Sequence, residues 1–473
     1  MPDFSRFDLE FLPETTDAVY LVGGSVRDLL AGRRPADFDL AVDGNIRRIA
    51  GQIAAKTGGT VVDLGNRGFE VLRVASPDIM IDLTPLDGPG IEVDLQRRDF
   101  TVNAMAWDIR SRRLVDCAGG LADMQRRTIR MVSSAALEKD PARLVRAYRL
   151  AAALGYSIDS ETRTAIARHH RLIRGVAAER IWAELEKLLT GDRSAPHVHD
   201  MADSGLLISI FPELAPTVGC GQNQYHAFDV FEHSLQAYTH LERLIVGFGS
   251  RYPKLADIAE EQNLARHAPI LKYACLLHDV GKPATRRVDA AGQVHFYGHA
   301  GKSADIAAGV SERLRLSRKQ RRTADAIIRH HIRPLFLYLA SENGNLGRCG
   351  MIRFFNRCGD MTLPIVVHTM ADIMAKRPVI DGRDEGFIHF CSEALTAYRD
   401  FCSHRAALPP LIDGHDLVDI FGLAPSPQLG RILKQVNERR LSGELATRDE
   451  ALAWVRAYLD RKAEFGGQRT EDG

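Results

Sequence analysis

The residues in this 473-residue sequence with the clearest capacity for chemistry are three aspartates, Asp37, Asp39 and Asp82. Asp37 and Asp39 stand two apart in the strand-like run DFDLAV. A strand's period of two puts both carboxylates on one face, where they can grip one cation. Asp82 lies in DIMIDLT, an apolar strand in which an unpaired charge is costly unless it faces a metal or solvent. Three convergent aspartates suit two Mg²⁺ ions, one activating a hydroxyl nucleophile and the other holding a triphosphate and its departing pyrophosphate. Upstream, VYLVGGSVRDLLAG leaves an apolar strand at Gly23-Gly24 and passes straight into a helix carrying Arg27. The glycine pair lets backbone N–H groups approach a phosphate closely, and Arg27 adds positive potential. An ordinary tight turn would explain the glycines and a turn start would explain Asp37, but neither accounts for the two features in succession.

A second set of residue types suits metal chemistry. FEHSLQAYTH, LLHDVGKPA, FYGHAGKSA, IIRHHIRP and VHTMADIMA place His233, His278, Asp279, His299, one of His330 and His331, and Asp372 in helix-like context. From the doublet His330 is taken as the ligand. Imidazole and carboxylate together suit Mg²⁺, Mn²⁺ or a softer first-row divalent ion, and Asp279 bridging two ions would activate a water for phosphoester hydrolysis. His197, His240 and His404 are read as packed or solvated residues. A third feature is DPARLVRAYR. Asp140-Pro141 reads as a helix start, with Asp as N-cap and Pro at the first helical position, and Arg143, Arg146 and Arg149 then recur every three residues. A cap does not need three arginines.

These residues require elements that position them. The first third alternates short apolar strands (VYLVGG, DFDLAV, GGTVVDL, EVLRVA, DIMIDLT, NAMAWDI) with helical stretches such as SVRDLLAG and IRRIAGQIAAKTGG, an α/β pattern. From about Ser134 helix-period segments follow one another, broken by loops at GDRSAPH, DAAGQVHFYG and HRAALPPLIDG. The fold class expected is therefore α+β. An α/β head spans 1–134, a helical neck and body 135–210, a helical His-rich domain 211–380, and a C-terminal helical region 381–473. The tail FGGQRTEDG lacks the apolar residues that offset ordering entropy and is expected to fray.

A formal net charge of +1 and a pI near 7.7 mean that any surface for a polyanion must come from local clustering. RLRLSRKQRR at 313–322 is one such cluster, with a solvated helix end as its plainer reading. Seven cysteines, scattered singly, lack the paired spacing of structural zinc or a redox dithiol and fit a reduced cytoplasmic protein. MPDFSRFDLEFLPETTDAVY has no apolar signal core, and no run of about 18 apolar residues could span a bilayer. Secretion and membrane insertion are not expected.

GGSVRDLLAGRRPADFDLAV, RRDFTVNAMAWD at 97–108, DCAGGLADMQRRTIR and DPARLVRAYRLAAALGY, in that order, resemble the bacterial (class II) CCA-adding enzyme and poly(A) polymerase family. The His-Asp doublet with its flanking His and Asp resembles the HD phosphohydrolase pattern. The resemblance implies a polymerase-β-like nucleotidyltransferase head followed by an all-α neck, body, HD domain and tail. It implies an enzyme that adds or repairs the CCA of a tRNA 3′ end from CTP and ATP, with Mg²⁺ in the head and a second divalent metal in the HD domain. Position by position it gives Gly24 and Arg27 to the nucleotide, Asp37 and Asp39 to the catalytic metal, and Asp82 to the third acidic position. Arg98 and Asp99 fall around the ribose and triphosphate, and Asn103 at the Asn of the same motif. A plainer reading makes Arg98 and Asp99 a surface ion pair at a helix start. Asp140 and Arg143 would read the incoming base, since an Arg fork and a carboxylate mimic a Watson–Crick edge, and Arg146 would contact the nucleotide. The C-terminal GHDLVDIFGLAPSPQLGRILKQV resembles the tail of HD-containing members, where it would belong to the helical body grasping the tRNA acceptor arm.

Two departures bear on specificity. The family often has Glu immediately before the base-reading Asp, where this sequence has Lys139. Only TPLDGPGIEVDLQ lies before Arg97, where many CCA-adding relatives carry a longer loop that helps the switch from C to A. A CC-adding or A-adding specialist and a poly(A) polymerase therefore stand beside the full CCA enzyme. From other classes come an HD phosphodiesterase or phosphatase with a degenerate head, and an RNA-binding repair factor without turnover.

Overall fold

The computed structural model describes residues 9–12, 15, 17–65, 70–407 and 409–466. Most of the tail expected to fray, and the side chain of His404, lie outside the described residues. The chain divides into two compact units, Met1–Pro212 and Glu213–Gly473.

In the first unit, runs of alternating apolar residues form β1 (Ala18–Val22), β2 (Phe38–Asp43), β3 (Thr60–Asp63), β4 (Leu72–Ala75), β5 (Met80–Pro85), β6 (Ala106–Asp108) and β7 (Arg113–Val115). They make one sheet in the order β3-β4-β5-β2-β1-β6-β7, in which only β2 and β5 run parallel. The alternation divides side chains between two faces. Val19, Leu21, Phe38, Leu40 and Val42 pack on one side with α1 (Gly24–Leu30) and α2 (Ile46–Thr57). Val22, Ala41 and Ala106 pack on the other with α3 (Ile91–Gln96). Being odd-numbered like Ala41, Asp39 is on that second face. Helix α2 starts on Asn45, whose side chain accepts from Arg48 N, and stops at Gly58 in the left-handed region.

Short strands were the part of the pattern without a period to read. β7, the parallel pair β8 (Thr128–Ile129) and β9 (Ser157–Ile158), and a hairpin of Arg287–Val288 with Val294–His295 inside the expected DAAGQVHFYG loop are each two or three residues long. Helices follow from α4 (Gly120–Arg126) and α5 (Ser134–Lys139) through α6 (Ala142–Leu154), α7 (Ser160–His169) and α8 (Ala178–Thr190). The expected GDRSAPH loop turns helical at Ala195.

Among the described residues, the strands of the second unit are those of that hairpin, and its other regular elements are helices. Helices Val230–Arg251, Leu264–Leu277, His299–Arg313, Arg318–His330 and Thr362–Met374 pack against one another. A buried ion pair joins two of them, Lys272 Nζ to Glu242 at 2.6 Å. Toward the C-terminus Leu417, Ile432, Ala451 and Val455 form a separate small core. Among the described residues, no helix is long and apolar enough to cross a membrane.

One close approach governs how the head is assembled. A Cβ on Gly120, at the start of α4, would lie 2.2 Å from Thr101 O and 2.8 Å from Met105 Cγ. The glycine lets α4 seat against the 3₁₀ turn Thr101–Asn103. Gly120→Ala should therefore destabilise the head by about 1–3 kcal/mol through overpacking. Gly51→Ala, in α2 with nothing within 4 Å of its Cβ, should leave stability unchanged or slightly raised. Thermal unfolding of the two variants beside the parent tests the contrast, and equal midpoints would contradict it.

Candidate active site and metal centre

Register sets the first site. Asp39 in β2 pairs with Asp82 in β5, which pairs in turn with Arg73 in β4, so three charged residues form one row across the sheet. Asp37 stands immediately before β2. Ser25, buried in α1, fixes the backbone of both aspartates, its Oγ donating to Asp37 O (3.3 Å) and accepting from Asp39 N (2.8 Å). Gly23 takes φ +68°, and a Cβ there would stand 3.2 Å from Arg98 Nη1 and 3.6 Å from Asp39 Oδ2. Glycine thus lets the Arg98 guanidinium lie over the turn, beside the carboxylate.

Burial, with Asp37 and Asp82 adding to it, pushes the Asp39 carboxyl up to about 6 against the opposing pull of Arg98 and Arg27. A carboxylate held next to two others calls for a cation, so Asp37 and Asp39 fit a divalent metal. Asp82 lines the same open cleft as Asp37 and Asp39 and is not an unpaired charge. Arg73 holds it in a two-pronged ion pair at 2.7 and 2.7 Å. The cation sits one strand away in EVLRVA, and pairing between strands is invisible to a reading along the chain.

Behind the aspartates runs a continuous polar network. Arg27 donates to both oxygens of Asp28 (3.0 and 3.1 Å) and to Asn103 Oδ1 (2.6 Å). Asn103 donates to Asp99 (3.2 Å), Asp99 pairs with Arg146 (3.3 Å), Arg146 with Glu184 (2.8 Å), and Glu184 with Arg149 (2.5 Å). The Arg98–Asp99 surface pair does not form. Arg98 pairs with Asp94, four residues back, at 2.8 Å, while Asp99 is buried among the network. Glu184 was missed from the sequence. Its signal was a carboxylate on the apolar face of AERIWAELEKLL, a position that demands a partner.

A cleft of about 930 Å³ opens over these groups. It is lined by Gly24, Arg27, Asp37, Asp39, Asp82, Arg98, Asp99, Asn103, Arg143 and Arg146, and by the further cations Arg97, Lys139, Arg149 and Lys187, but not by Asp140. The volume suits one nucleotide-sized ligand, and the basic rim suits a polyphosphate. Asp140 does not cap α6. Pro141 occupies the N-cap position, and Asp140 closes α5 at φ −138°. Its carboxylate turns to Arg180 in α8 (2.9 Å) and stands 3.6 Å from Arg143 Nε. Burial raises the Asp140 carboxyl, but Arg180 with Arg143 and Arg146 together outweigh it and hold the group below the usual range. Asp140 Oδ1 and Arg143 Nε are both buried without a hydrogen-bond partner.

In the second unit, His233, His278, Asp279 and Asp372 converge, with Asp279 shared by a further group of His299 and His331. Four rings are aimed in the same way. Nδ1 of His233, His278, His299 and His331 lies 3.3, 2.8, 2.8 and 2.7 Å from the carbonyls of Ala375, Cys275, Phe296 and Ile328. A carbonyl only accepts, so each Nδ1 donates, and Nε2 is the nitrogen left to meet either a carboxylate, through a proton, or a cation in that proton's place. His233 Nε2 is 2.8 Å from Asp372, and His278 Nε2 is 3.1 Å from Asp279 and 3.4 Å from Asp372. Lys282 Nζ, missed from the sequence, lies 2.6 Å from Asp279. His330 is corrected to His331. Adjacent helical residues point about 100° apart, and His330 instead accepts from Arg333 Nε at 2.9 Å.

Burial pushes the His278 imidazole down, but Asp279 and Asp372 overcome it and lift the group to about 10. A buried imidazolium therefore supplies the positive charge that the two carboxylates need, and a divalent cation fits the same place. In 313–322, Arg313 pairs with Glu213 at 2.9 Å, Arg321 pairs with Glu312 at 3.1 Å, and Ser317 with Gln320 caps the next helix, while Arg318, Lys319 and Arg322 are exposed.

Comparison with known proteins gives three family matches. Residues 19–130 match "Poly A polymerase head domain", 155–217 "Probable RNA and SrmB- binding site of polymerase A", and 230–348 "HD domain". The Deinococcus radiodurans A-adding tRNA nucleotidyltransferase is 33% identical over 458 residues, covering 95% of this chain and 97% of its own. The Thermus thermophilus CC-adding tRNA nucleotidyltransferase is 33% identical over 456 residues, covering 94% and 95%. Among solved structures, a CCA-adding enzyme in complex with ATP shares the fold with a TM-score of 0.65 at 21% identity, over 95% of this chain and 92% of that one. The Thermotoga maritima CCA-adding enzyme complexed with tRNA gives 0.62 at 21%, over 95% and 93%. Asp372 lies beyond the HD match, yet the fold returns it to the cluster.

Two outcomes follow for the protein stripped of metal by chelator. Because the Asp39 carboxyl is raised in the folded state, its ionisation destabilises the fold as pH rises through about 6. Asp39→Asn should then be more stable than the parent at pH 8, by about 1–2 kcal/mol, with the gain shrinking as pH falls below about 6 and gone near pH 4. A less stable Asn variant at pH 8 would contradict this. In the second unit the raised His278 stabilises fully below about pH 6.5 and loses that contribution as pH rises through about 10. Asp279 and Asp372, held well below the usual range because histidine and lysine partners outweigh burial, act oppositely in acid. The metal-free unit should therefore lose thermal stability between about pH 6.5 and 10, and added Mn²⁺ should flatten that limb. A midpoint that does not move with pH would rule this out.

Proposed function

This chain belongs to the tRNA nucleotidyltransferase and poly(A) polymerase family, and from that premise we propose that it builds and repairs the CCA of tRNA 3′ ends from CTP and ATP, releasing pyrophosphate. The observation that carries this reading is the single cleft in which paired aspartates, phosphate-sized cationic groups and Arg143 meet.

Asp37 and Asp39 would hold Mg²⁺, which supplies activation of the 3′-hydroxyl and neutralisation of the triphosphate. Asp82, tied to Arg73, supports them from the neighbouring strand. Gly24, Arg27 and Arg98 receive the phosphates. Asp99, through Asn103 and Arg146, keeps the arginines aimed into the cleft, so that the positive charge is in place before a nucleotide arrives. Asp140 and Arg143 stand side by side with an unused acceptor and donor, which supports their reading one base edge. In the second unit, His233, His278, Asp279, Asp372, His299 and His331 would hold a separate divalent metal for phosphoester hydrolysis, making the HD domain a second enzyme on the same chain. Within this reading the head runs over 1–134, the neck and RNA-binding body over 135–210, the HD domain over 211–380 and the C-terminal region over 381–473. Seven cysteines without disulfide partners support a cytoplasmic setting.

A second reading is favoured by specific observations. The D. radiodurans and T. thermophilus relatives are an A-adding and a CC-adding enzyme, Lys139 precedes Asp140, and the stretch before Arg97 is short. The chain would then add only part of CCA. Purified protein with Mg²⁺ should be offered tRNA ending at the discriminator base, in C or in CC, with CTP, ATP or both, and the products resolved at single-nucleotide length. Three additions to the bare end establish a full CCA enzyme, two a CC-adding enzyme, and A added only to the CC end its counterpart. No extension in any combination would overturn the transferase reading in favour of the HD hydrolase. Asp39→Ala should lower incorporation about 10²–10³-fold, as loss of a charge-stabilising group does, while tRNA binding measured by filter retention persists.

A further inference from the structure

Beside the HD cluster lie two side chains, His368 and Cys275, that neither proposed reaction uses. His368, one turn before Asp372 on helix Thr362–Met374, is fully buried, and neither ring nitrogen has a hydrogen-bond partner. Its ring centroid is 5.0 Å from that of His278 and 5.7 Å from that of His331. Cys275, on helix Leu264–Leu277 one turn before His278, is also fully buried. Ligand atoms of Cys275, His278 and His368 lie within 4.8 Å of one another. Buried polar groups are nearly always partnered, and an imidazole that forgoes both hydrogen bonds is disfavoured unless something occupies the space it faces.

We infer that Cys275, His278 and His368 form an inner metal pocket that takes a soft first-row cation of the Zn²⁺ class. One sulfur and two imidazoles match the donor set of tetrahedral Zn²⁺ or Co²⁺ and suit Mg²⁺ poorly. The carboxylate-rich set of His233, Asp279 and Asp372 is the harder of the two environments. Both sets call on His278. Its Nδ1 donates to Cys275 O, so only Nε2 can bind metal. An ion in the inner pocket and an ion bound through His278 to Asp279 and Asp372 are therefore alternatives, and a soft cation withdraws a ligand from the outer set. Binding exchanges the Cys275 S–H for a metal–sulfur bond and releases that proton to solvent, with no change in oxidation state.

Cobalt makes the distinction directly, because a thiolate ligand gives Co²⁺ a near-ultraviolet charge-transfer band that nitrogen and oxygen donors do not. Full-length protein, stripped by chelator and titrated with Co²⁺, should develop this band and saturate at one equivalent. Cys275→Ser should bind Co²⁺ at the outer set without the band, and His368→Asn should weaken the band-forming site at least about tenfold. Asp372→Asn, outside the pocket, should keep the band. Thermal midpoints in chelator identify any variant that fails to fold, in which case Cys275→Ala takes the place of the serine variant. Cobalt binding without the band in the parent protein, or a band that survives loss of Cys275, overturns the pocket.

Discussion

Every part of the first site depends on charges taken out of water and compensated only by one another. Asp99 and Glu184 are buried carboxylates, and Arg146 is shared between them. Removing one partner would strand the other, a larger penalty than the net strength of either pair suggests. The shared arginine ties the strand-rich head to α6 and α8, so the wall that carries Arg143 and the wall that carries the aspartates have a fixed spacing. Arg27, reached through Asn103, belongs to the same chain of contacts. The cleft is consequently stiff where phosphates would sit, and its cations need little reorganisation to receive them.

The two candidate sites solve opposite problems. In the head, acids are crowded until one of them resists ionisation, and the surplus negative charge asks for a cation from outside. In the HD cluster, a protonated histidine already supplies positive charge, so the fold tolerates the absence of a metal without leaving Asp279 and Asp372 exposed to each other. Lys282 reinforces that compensation. Each arrangement is coherent with metal chemistry, but the first relies on affinity and the second on displacement of a proton.

What could be read along the chain was whatever depended on local period or spacing. The Gly23 turn, the start of helical structure near Ser134 and the His-Asp doublet all follow from residues within a few positions of one another. What depended on register or packing could not be read. Arg73 meets Asp82 only because β4 and β5 pair in one register, Glu184 meets Arg146 only because α8 packs on α6, and His368 is beside His278 only through helix packing. His330 and His331 share the same local sequence, and the rotation of one helix decided between them. The helix-start reading of Asp140 failed for a related reason, since Arg180, forty residues away, outcompeted the local backbone N–H groups.

The aiming of the HD histidines has a consequence for how such a centre can change over evolutionary time. His278, His299 and His331 each bond the carbonyl three residues earlier in their own segment. Ring tautomer and direction are thus encoded within a tetrapeptide, and only the meeting of the tetrapeptides is left to tertiary structure. Substitutions elsewhere in the bundle can shift helices by small amounts and retune the ion without scrambling which nitrogen is offered to it. Such a centre is modular in a sense that the network of the head is not. It can drift toward a new metal, or lose turnover while keeping its scaffold, one segment at a time.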